Sequence, residues 1–382
     1  MRLSEVFRNL KPTETENIYH LNAFQNPLDQ LNFFQSYFFE QNKLVEKVYR
    51  TNSDIAILRD LSSGSNAITL AIREKQCEKI RKLAFGDDTP GLHQQVNWLN
   101  SVRNEIPVAP VLGLRRDADM LSYDMPYSPN NLSFFEVIHT LSQKTNKKII
   151  TDIVERLEKN LYQSNRLATD QELLDYSLEK VCRNLEFIQR FLPPSLVDPT
   201  KIFVNGVELR NISFFEEQGF FKNFSRFIND KHVGTIHGDL TIENIIIKGD
   251  RLDQEIADAW YLIDPNPDNI FNSKWIDYSK LFQSLDSGYE FLGKISRIEI
   301  CQNNIRFPFF KSAQYAELVG FLIHLLGGTD SLKVQDVKLH QIVNYFRLIP
   351  YKIRRGQKNC SAYYATLVVL LNDYWNRYVQ KA

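Results

Sequence analysis

Cysteine is scarce. Cys77, Cys182, Cys301 and Cys360 are scattered through 382 residues with no close pair, which argues against a disulfide framework and a zinc site and points to reduced thiols in a cytoplasmic protein. Net charge is absent as well: 46 Lys plus Arg balance 46 Asp plus Glu, so no global field favours nucleic acid or a membrane surface, although a local basic pocket stays open. No apolar run reaches membrane-spanning length, and Leu318 to Leu326 is only a short core segment. Met1-Arg2-Leu3-Ser4 leads into charged and polar residues rather than an apolar signal core, so a soluble, non-exported protein is expected. The chain also lacks internal repeats, low-complexity tracts, a G-x-G-x-x-G run and a Walker A motif.

What is present is a globular composition, 43% hydrophobic and 12% aromatic with 26 Phe, in a chain long enough for two lobes. Residues 1 to about 45 carry Leu28, Leu31, Phe34 and Phe38 at helical spacing, an extension that packs on the first lobe or meets a partner. Strand patterns follow at Asp54 to Leu58, Ala67 to Ile72, Lys79 to Leu83, Ile106 to Leu112 and Met120 to Met125, with a helix from Leu92 to Leu99 after Pro90-Gly91. Between the first two strands, Ser63, Gly64 and Ser65 are small enough to let backbone amides approach a phosphate, though by itself the stretch also reads as a plain hairpin turn.

Past a break at Tyr127 to Asn131 the chain turns helical. Ser133 to Glu136, Thr169 to Glu172 and Ser213 to Glu216 fit the capping box, and Leu174, Leu178, Val181, Leu185 and Ile188 keep helical spacing. Phe321, Leu322, Leu325, Leu367, Val368 and Leu371 are candidate core of the last hundred residues. The run Lys352 to Lys358 is a solvated basic surface or, more sharply, a pocket for an anionic acceptor.

The chemistry concentrates in His237-Gly-Asp-Leu-Thr-Ile-Glu-Asn244, which sets a carboxylate and an amide five positions apart. Ile245-Ile246-Ile247 and Tyr261-Leu262-Ile263 read as two strands, and pairing them returns Asp264 beside Asn244. Two carboxylates and one amide then converge. Oxygen ligands without a Cys/His set suit a hard cation such as Mg²⁺, with one carboxylate left to accept a proton, which is the division of labour that phosphoryl transfer requires.

This string, with Ile263-Asp264-Pro265, resembles the catalytic loop and metal-binding motif of the kinase-like phosphotransferases, the superfamily of aminoglycoside phosphotransferases, choline kinases and related small-molecule kinases. The resemblance spans about residues 50 to 380. It implies an α+β, bilobal protein-kinase-like fold: a helical extension over 1–50, a small, mainly antiparallel β N-lobe over 51–127 that binds nucleotide, and a larger, mainly helical C-lobe over 128–382. It implies Asp239 as catalytic base, Asn244 and Asp264 as Mg²⁺ ligands, and ATP or GTP as donor. Lys82 takes the place of the phosphate-binding lysine, with Lys79 and Arg81 as rivals, and Tyr123, Met125 and Tyr127 that of the adenine-binding hinge. Asp277 takes the place of a brace for the loop, and His237 is expected to hydrogen-bond the loop backbone. The glutamate that pairs with the lysine is missing, Gln94, Gln95 and Glu105 standing where it is sought.

Only thirteen positions separate Asp264 from Asp277, too few for the activation segment of a protein kinase, so the acceptor implied is a hydroxyl of a small molecule, such as a sugar or amino-sugar derivative. The alternative is a non-catalytic nucleotide-binding module. Neither reading calls for nucleic acid or membrane.

Overall fold

The computed structural model describes residues 55–62, 67–117, 119–163, 166–251, 256–267, 269–295, 297–309, 312–354 and 359–380. The helix expected over 1–50, the Ser63-Gly64-Ser65 loop and residues 355–358 of the basic run lie outside the described residues. Two compact units emerge: one runs to Arg103 and resumes over Ala109–Asn131, the other joins Asn104–Val108 to everything from Leu132 onward.

The first unit is a five-stranded antiparallel sheet of β1 (Ile55–Asp60), β2 (Ile68–Glu74), β3 (Cys77–Phe85), β4 (Gly113–Asp117) and β5 (Met120–Pro126), in the order β1-β2-β3-β5-β4. Lys75 and Gln76, both at positive φ, make the two-residue turn between β2 and β3 that the right-handed twist of a hairpin favours. Ile55, Ile57, Leu70, Ile72, Leu83 and Met120 alternate onto one face as a small core. Helix α1 (Thr89–Val102), with Pro90 in its first turn, buries Leu92, Val96, Trp98, Leu99 and Val102.

The strand expected over Ile106 to Leu112 does not form. Pro107 and Pro110 have no N–H to give a ladder, and what remains is a parallel bridge from Val108 to Leu262, with Leu262 N donating to Pro107 O at 3.0 Å, and a bond from Leu112 N to Asp124 O at 2.8 Å. The fourth strand is instead Gly113–Asp117.

In the second unit, both expected capping boxes at Ser133 and Thr169 close, starting α2 (Phe134–Val137) and α4 (Asp170–Ser177), while Ser142 caps α3 (Gln143–Arg156) between them. After α4 a π-helical turn over Leu178–Cys182 inserts before α5 (Arg183–Phe191) and rotates the stripe, so Leu173, Tyr176, Val181, Leu185 and Ile188 are buried while Leu174 and Leu178 face solvent. The third expected box fails: α6 (Ile212–Glu217) has Asn211 at its N-cap without a side-chain cap bond, and Ser213 Oγ donates to Pro199 O at 2.8 Å instead.

Strands β6 (Ile245–Lys248) and β7 (Trp260–Leu262) pair antiparallel, Ile245 opposite Leu262 and Ile247 opposite Trp260. Behind them stand α7 (Lys274–Leu285), the short α8 (Tyr289–Leu292), α9 (Ala313–Leu325), α10 (Leu332–Arg354) and α11 (Cys360–Tyr374). Helix α7 packs on α10 and α10 on α11, around a core that includes Leu339, Ile342, Phe346, Leu367, Val368 and Leu371. Of the expected core of α9, Leu322 is buried, Phe321 half-buried and Leu325 exposed. Among the described residues no helix is long and apolar enough to cross a membrane.

Candidate active site

The loop from His237 to Asn244 is held rigid from three directions. Asp277, one turn into α7 and fully buried, accepts from His237 N at 2.8 Å, Gly238 N at 2.6 Å and Tyr162 Oη at 3.0 Å. His237 Nδ1 accepts from Asp239 N at 3.3 Å, which leaves Nε2 to donate to Ile263 O at 2.9 Å and ties the loop to the end of β7. Ser284 Oγ accepts from Ile242 N at 3.2 Å.

Gly238 cannot be another residue. Its φ is +80°, and a Cβ there would stand 1.9 Å from Asn266 O, because Asn266 N donates to His237 O at 2.7 Å and draws the two segments together.

That closeness brings the three expected side chains of the second unit into one neighbourhood. Asn244 Nδ2 donates to Asp239 O at 2.8 Å and to Asp239 Oδ2 at 3.1 Å, and Ile263 N donates to Asn244 O at 3.0 Å, which seats Asp264 beside Asn244. Asp264 itself has φ +56°, a left-handed conformation that costs an L residue free energy and recurs where a functional side chain must be aimed. With its amide nitrogen turned to Asp239, Asn244 has its amide oxygen left for another partner, next to a carboxylate. Among the described residues no cluster of three or more His, Cys, Asp or Glu could hold a metal ion. The pair fits a Mg²⁺ that takes two protein oxygens and the rest from phosphate and water, not a cage built wholly from protein.

Sequence reasoning missed Lys280. Its Nζ lies 3.1 Å from Asp239 Oδ1, so the carboxylate is gripped on one oxygen by an ammonium and on the other by an amide. Burial alone would push the Asp239 carboxyl up; the Lys280 charge and hydrogen bond, helped by His237 and Arg347, outweigh it and hold the group below the ordinary aspartate value. Burial in turn pulls the Lys280 ammonium down, against the attraction of Asp239. The signal was available: Lys280 stands three residues after Asp277 on the same helix, so both point at the loop.

In the first unit, Lys79 and Arg81 are committed elsewhere. Arg81 grips Asp124 with Nε and a terminal nitrogen at 2.7 and 2.9 Å, Lys79 Nζ lies 2.7 Å from Asp124 Oδ2, and Glu74 joins Arg115 at 2.9 Å. Arg115 above all holds the Glu74 carboxyl down at about 2. Lys82 points to the opposite face, opposite Tyr123 in register, and is 1% exposed. Of the glutamines on α1, Gln94 is exposed, while the Gln95 Oε1 is buried with no hydrogen-bond partner. Glu105 is exposed. Tyr123 and Met125 are buried within β5, which is paired on both sides, and half-buried Tyr127 follows the strand end at Pro126. After β1, Ser62 Oγ accepts from Thr69 N of β2 at 3.1 Å. At the other end of the chain, Lys352 Nζ sits over the rings of Tyr289 and Tyr363, 5.7 and 5.4 Å from their centroids.

No protein-family profile matches the chain, and no curated protein matches it in sequence. Solved structures do match it. Aminoglycoside phosphotransferase APH(4)-Ia aligns with a TM-score of 0.54 at 8% identity, over 87% of this chain and 98% of that one. A thermostable mutant of the same enzyme, in ternary complex with AMP-PNP and hygromycin B, gives 0.54 at 8% over 86% and 97%. Another, with ADP and hygromycin B, gives 0.51 at 7% over 86% and 97%. With a five-stranded antiparallel sheet in its N-terminal part and a mostly helical C-terminal part, the chain has the kinase-like fold of the aminoglycoside phosphotransferases.

Proposed function

We infer that the chain is an ATP- or GTP-dependent phosphotransferase that moves the γ-phosphoryl group to a hydroxyl of a small molecule. One observation carries this reading: Asn244 holds the Asp239 carboxylate with its amide nitrogen while the β6–β7 register seats Asp264 beside it. A base, an amide and a second carboxylate in that order are the parts phosphoryl transfer uses. The nucleotides in the APH(4)-Ia complexes support a nucleotide donor.

Asp239 is the base that orients and deprotonates the acceptor hydroxyl, and its depressed basicity keeps it ionised well below neutrality. Asn244 and Asp264 are the Mg²⁺ ligands; when bound, the ion neutralises charge on the phosphate oxygens. Asp277 and His237 keep the loop from relaxing, so the reacting groups are pre-positioned. In the first unit, Lys82 binds phosphate, the Ser63-Gly64-Ser65 stretch covers it, and the base edge meets the chain beyond Tyr123 and Met125, near Tyr127.

The test is transfer of label from γ-labelled ATP and GTP, with Mg²⁺, to a library of small alcohols. Asp239→Asn should lower transfer by about 10²- to 10⁴-fold with nucleotide binding retained. Equal transfer by wild type and Asp239→Asn, or none by either, sinks the reading and leaves a non-catalytic nucleotide-binding module.

A further inference from the structure

Next to the base lies a group of buried polar atoms that the fold leaves unpaired. Gly288, at φ +61°, turns the chain out of α7 into α8, where the Tyr289 ring meets Lys352 of α10 and Tyr363 of α11 and is followed by Glu290. Glu290 is 5% exposed, yet neither carboxylate oxygen has a partner in hydrogen-bond geometry, the nearby Ser284 hydroxyl included. The hydroxyls of Tyr345 on α10 and Tyr363 on α11, both fully buried, are likewise without a partner in such geometry, the Ser287 hydroxyl near Tyr345 included.

These groups are neighbours. The Tyr289 and Tyr363 rings are 6.3 Å apart, and the phenols of Tyr345 and Tyr363 both lie in the field of Glu290. Tyr289 lies in the fields of Asp239, Glu243 and Glu290 together, which joins the cluster to the catalytic loop. A buried polar group without a partner costs free energy, and folded proteins leave few of them. Three in one cluster beside a base are what an acceptor site holds ready.

We propose that Glu290, Tyr345 and Tyr363, with the Tyr289 ring, form the acceptor subsite of this phosphotransferase, and that the acceptor is an uncharged polyol such as a sugar or cyclitol. The proposal rests on the phosphotransferase reading. The chemistry selects the class: a carboxyl and two phenols match the donors and acceptors of neighbouring hydroxyls, and an aromatic face suits the C–H face of a ring. Charge selects against the alternatives. Lys352 Nζ stands 5.7 and 5.4 Å from the centroids of the Tyr289 and Tyr363 rings, so the cluster sets a cation beside the buried Glu290 carboxyl and offers neither a polycation nor a phosphorylated alcohol an unopposed charge of the other sign.

The experiment uses the full chain with Mg²⁺ and nucleotide. Wild type, Glu290→Gln and Tyr363→Phe are compared on two sets of acceptors: uncharged polyols (hexoses, pentitols, inositols) and charged alcohols (ethanolamine, an aminoglycoside, a hexose phosphate). Expected are transfer to at least one uncharged polyol, an acceptor KM raised tenfold or more in both variants, and a nucleotide KM within twofold of wild type. The melting temperature of Tyr363→Phe should be no lower than wild type, since the change removes an orphan hydroxyl rather than a bonded one. Transfer only to charged alcohols overturns the proposal, as does an unchanged acceptor KM in both variants, or a fall in melting temperature that tracks the rise in KM. Absence of transfer to either set, with wild type and Asp239→Asn alike, instead defeats the phosphotransferase reading on which the subsite depends.

Discussion

Lys280 Nζ stands 3.1 Å from Asp239 Oδ1, so the residue proposed as base is also half of an ion pair. An ammonium stabilises the ionised carboxylate and thereby weakens it as a proton acceptor. With Asp239 as the base, the same ammonium would also answer negative charge gathering on a transferring phosphoryl group. The arrangement sets reactivity against readiness, and it makes a pH signature.

Lys280→Met removes the cation and leaves the burial. The Asp239 carboxyl, held below its ordinary value in the wild type, then rises, because the largest charge opposing its desolvation is gone and only His237 and Arg347 still act against burial. Activity needs the ionised form, so the acid limb of kcat/KM should move to higher pH and the maximum should fall at least tenfold. A pH–rate profile of the two proteins decides it; a limb that stays in place, with only the height changed, rejects the electrostatic role.

Asp277 accepts three hydrogen bonds, two of them from the backbone of the loop. Asp277→Ala leaves buried donors without an acceptor, at a cost of about 3 kcal/mol or more in unfolding free energy. Urea titration measures it. The loop loses its rigid seat at the same time, so kcat should fall even in the fraction that remains folded.

How much of this was legible beforehand follows from which interactions are local. The return of the chain at Asp264 to the neighbourhood of Asn244 was legible because strand register is set by the alternation of apolar residues, and Ile245 pairs with Leu262. Lys280 could not be assigned from the loop's own sequence, because its partner arrives through tertiary packing of α7. The strand expected at Ile106 to Leu112 misread apolar content as pairing capacity, which two prolines remove. Leu174 and Leu178 kept perfect helical spacing and still face solvent, since a π-turn adds a residue that no periodicity announces. Ser213 offered a capping hydroxyl, but the helix begins one residue earlier, at Ile212, which puts Ser213 inside the first turn, where its hydroxyl donates to Pro199 O instead of accepting a cap bond.

Asp264 separates function from stability in a single residue. Its left-handed backbone, φ +56°, costs an aspartate little and a glycine nothing. Asp264→Gly relieves that strain while widening the unfolded ensemble, two backbone effects that nearly cancel, so a loss of unfolding free energy beyond about 1 kcal/mol measures the interactions of the lost carboxylate. Phosphoryl transfer should be lost and Mg²⁺-dependent nucleotide affinity should fall. A Gly variant that keeps its activity removes Asp264 from the metal site.

Adjacent residues on β3 offer the sharpest contrast, because alternation sends Arg81 and Lys82 to opposite faces. Arg81 is fully buried and bonded twice to Asp124, itself held below the ordinary carboxyl value against burial by Arg81 and then Lys79. Arg81→Met takes both guanidinium bonds from that carboxylate, leaving Lys79 at 2.7 Å and Arg115 at 3.9 Å, and should cost about 3 kcal/mol, the low end of the usual penalty for breaking a buried pair from one side. Since Asp124 is stabilised in its ionised form, the wild-type contribution is present above the unfolded carboxyl value and fades as pH falls through the lower folded one; the gap between the two proteins should narrow in acid. Lys82→Met should lose less stability and more function, with kcat/KM for nucleotide down at least tenfold. Denaturation midpoints and nucleotide kinetics measured on the same two preparations test both halves, and a reversal, with Arg81→Met the catalytic defect and Lys82→Met the unstable protein, would exchange their roles.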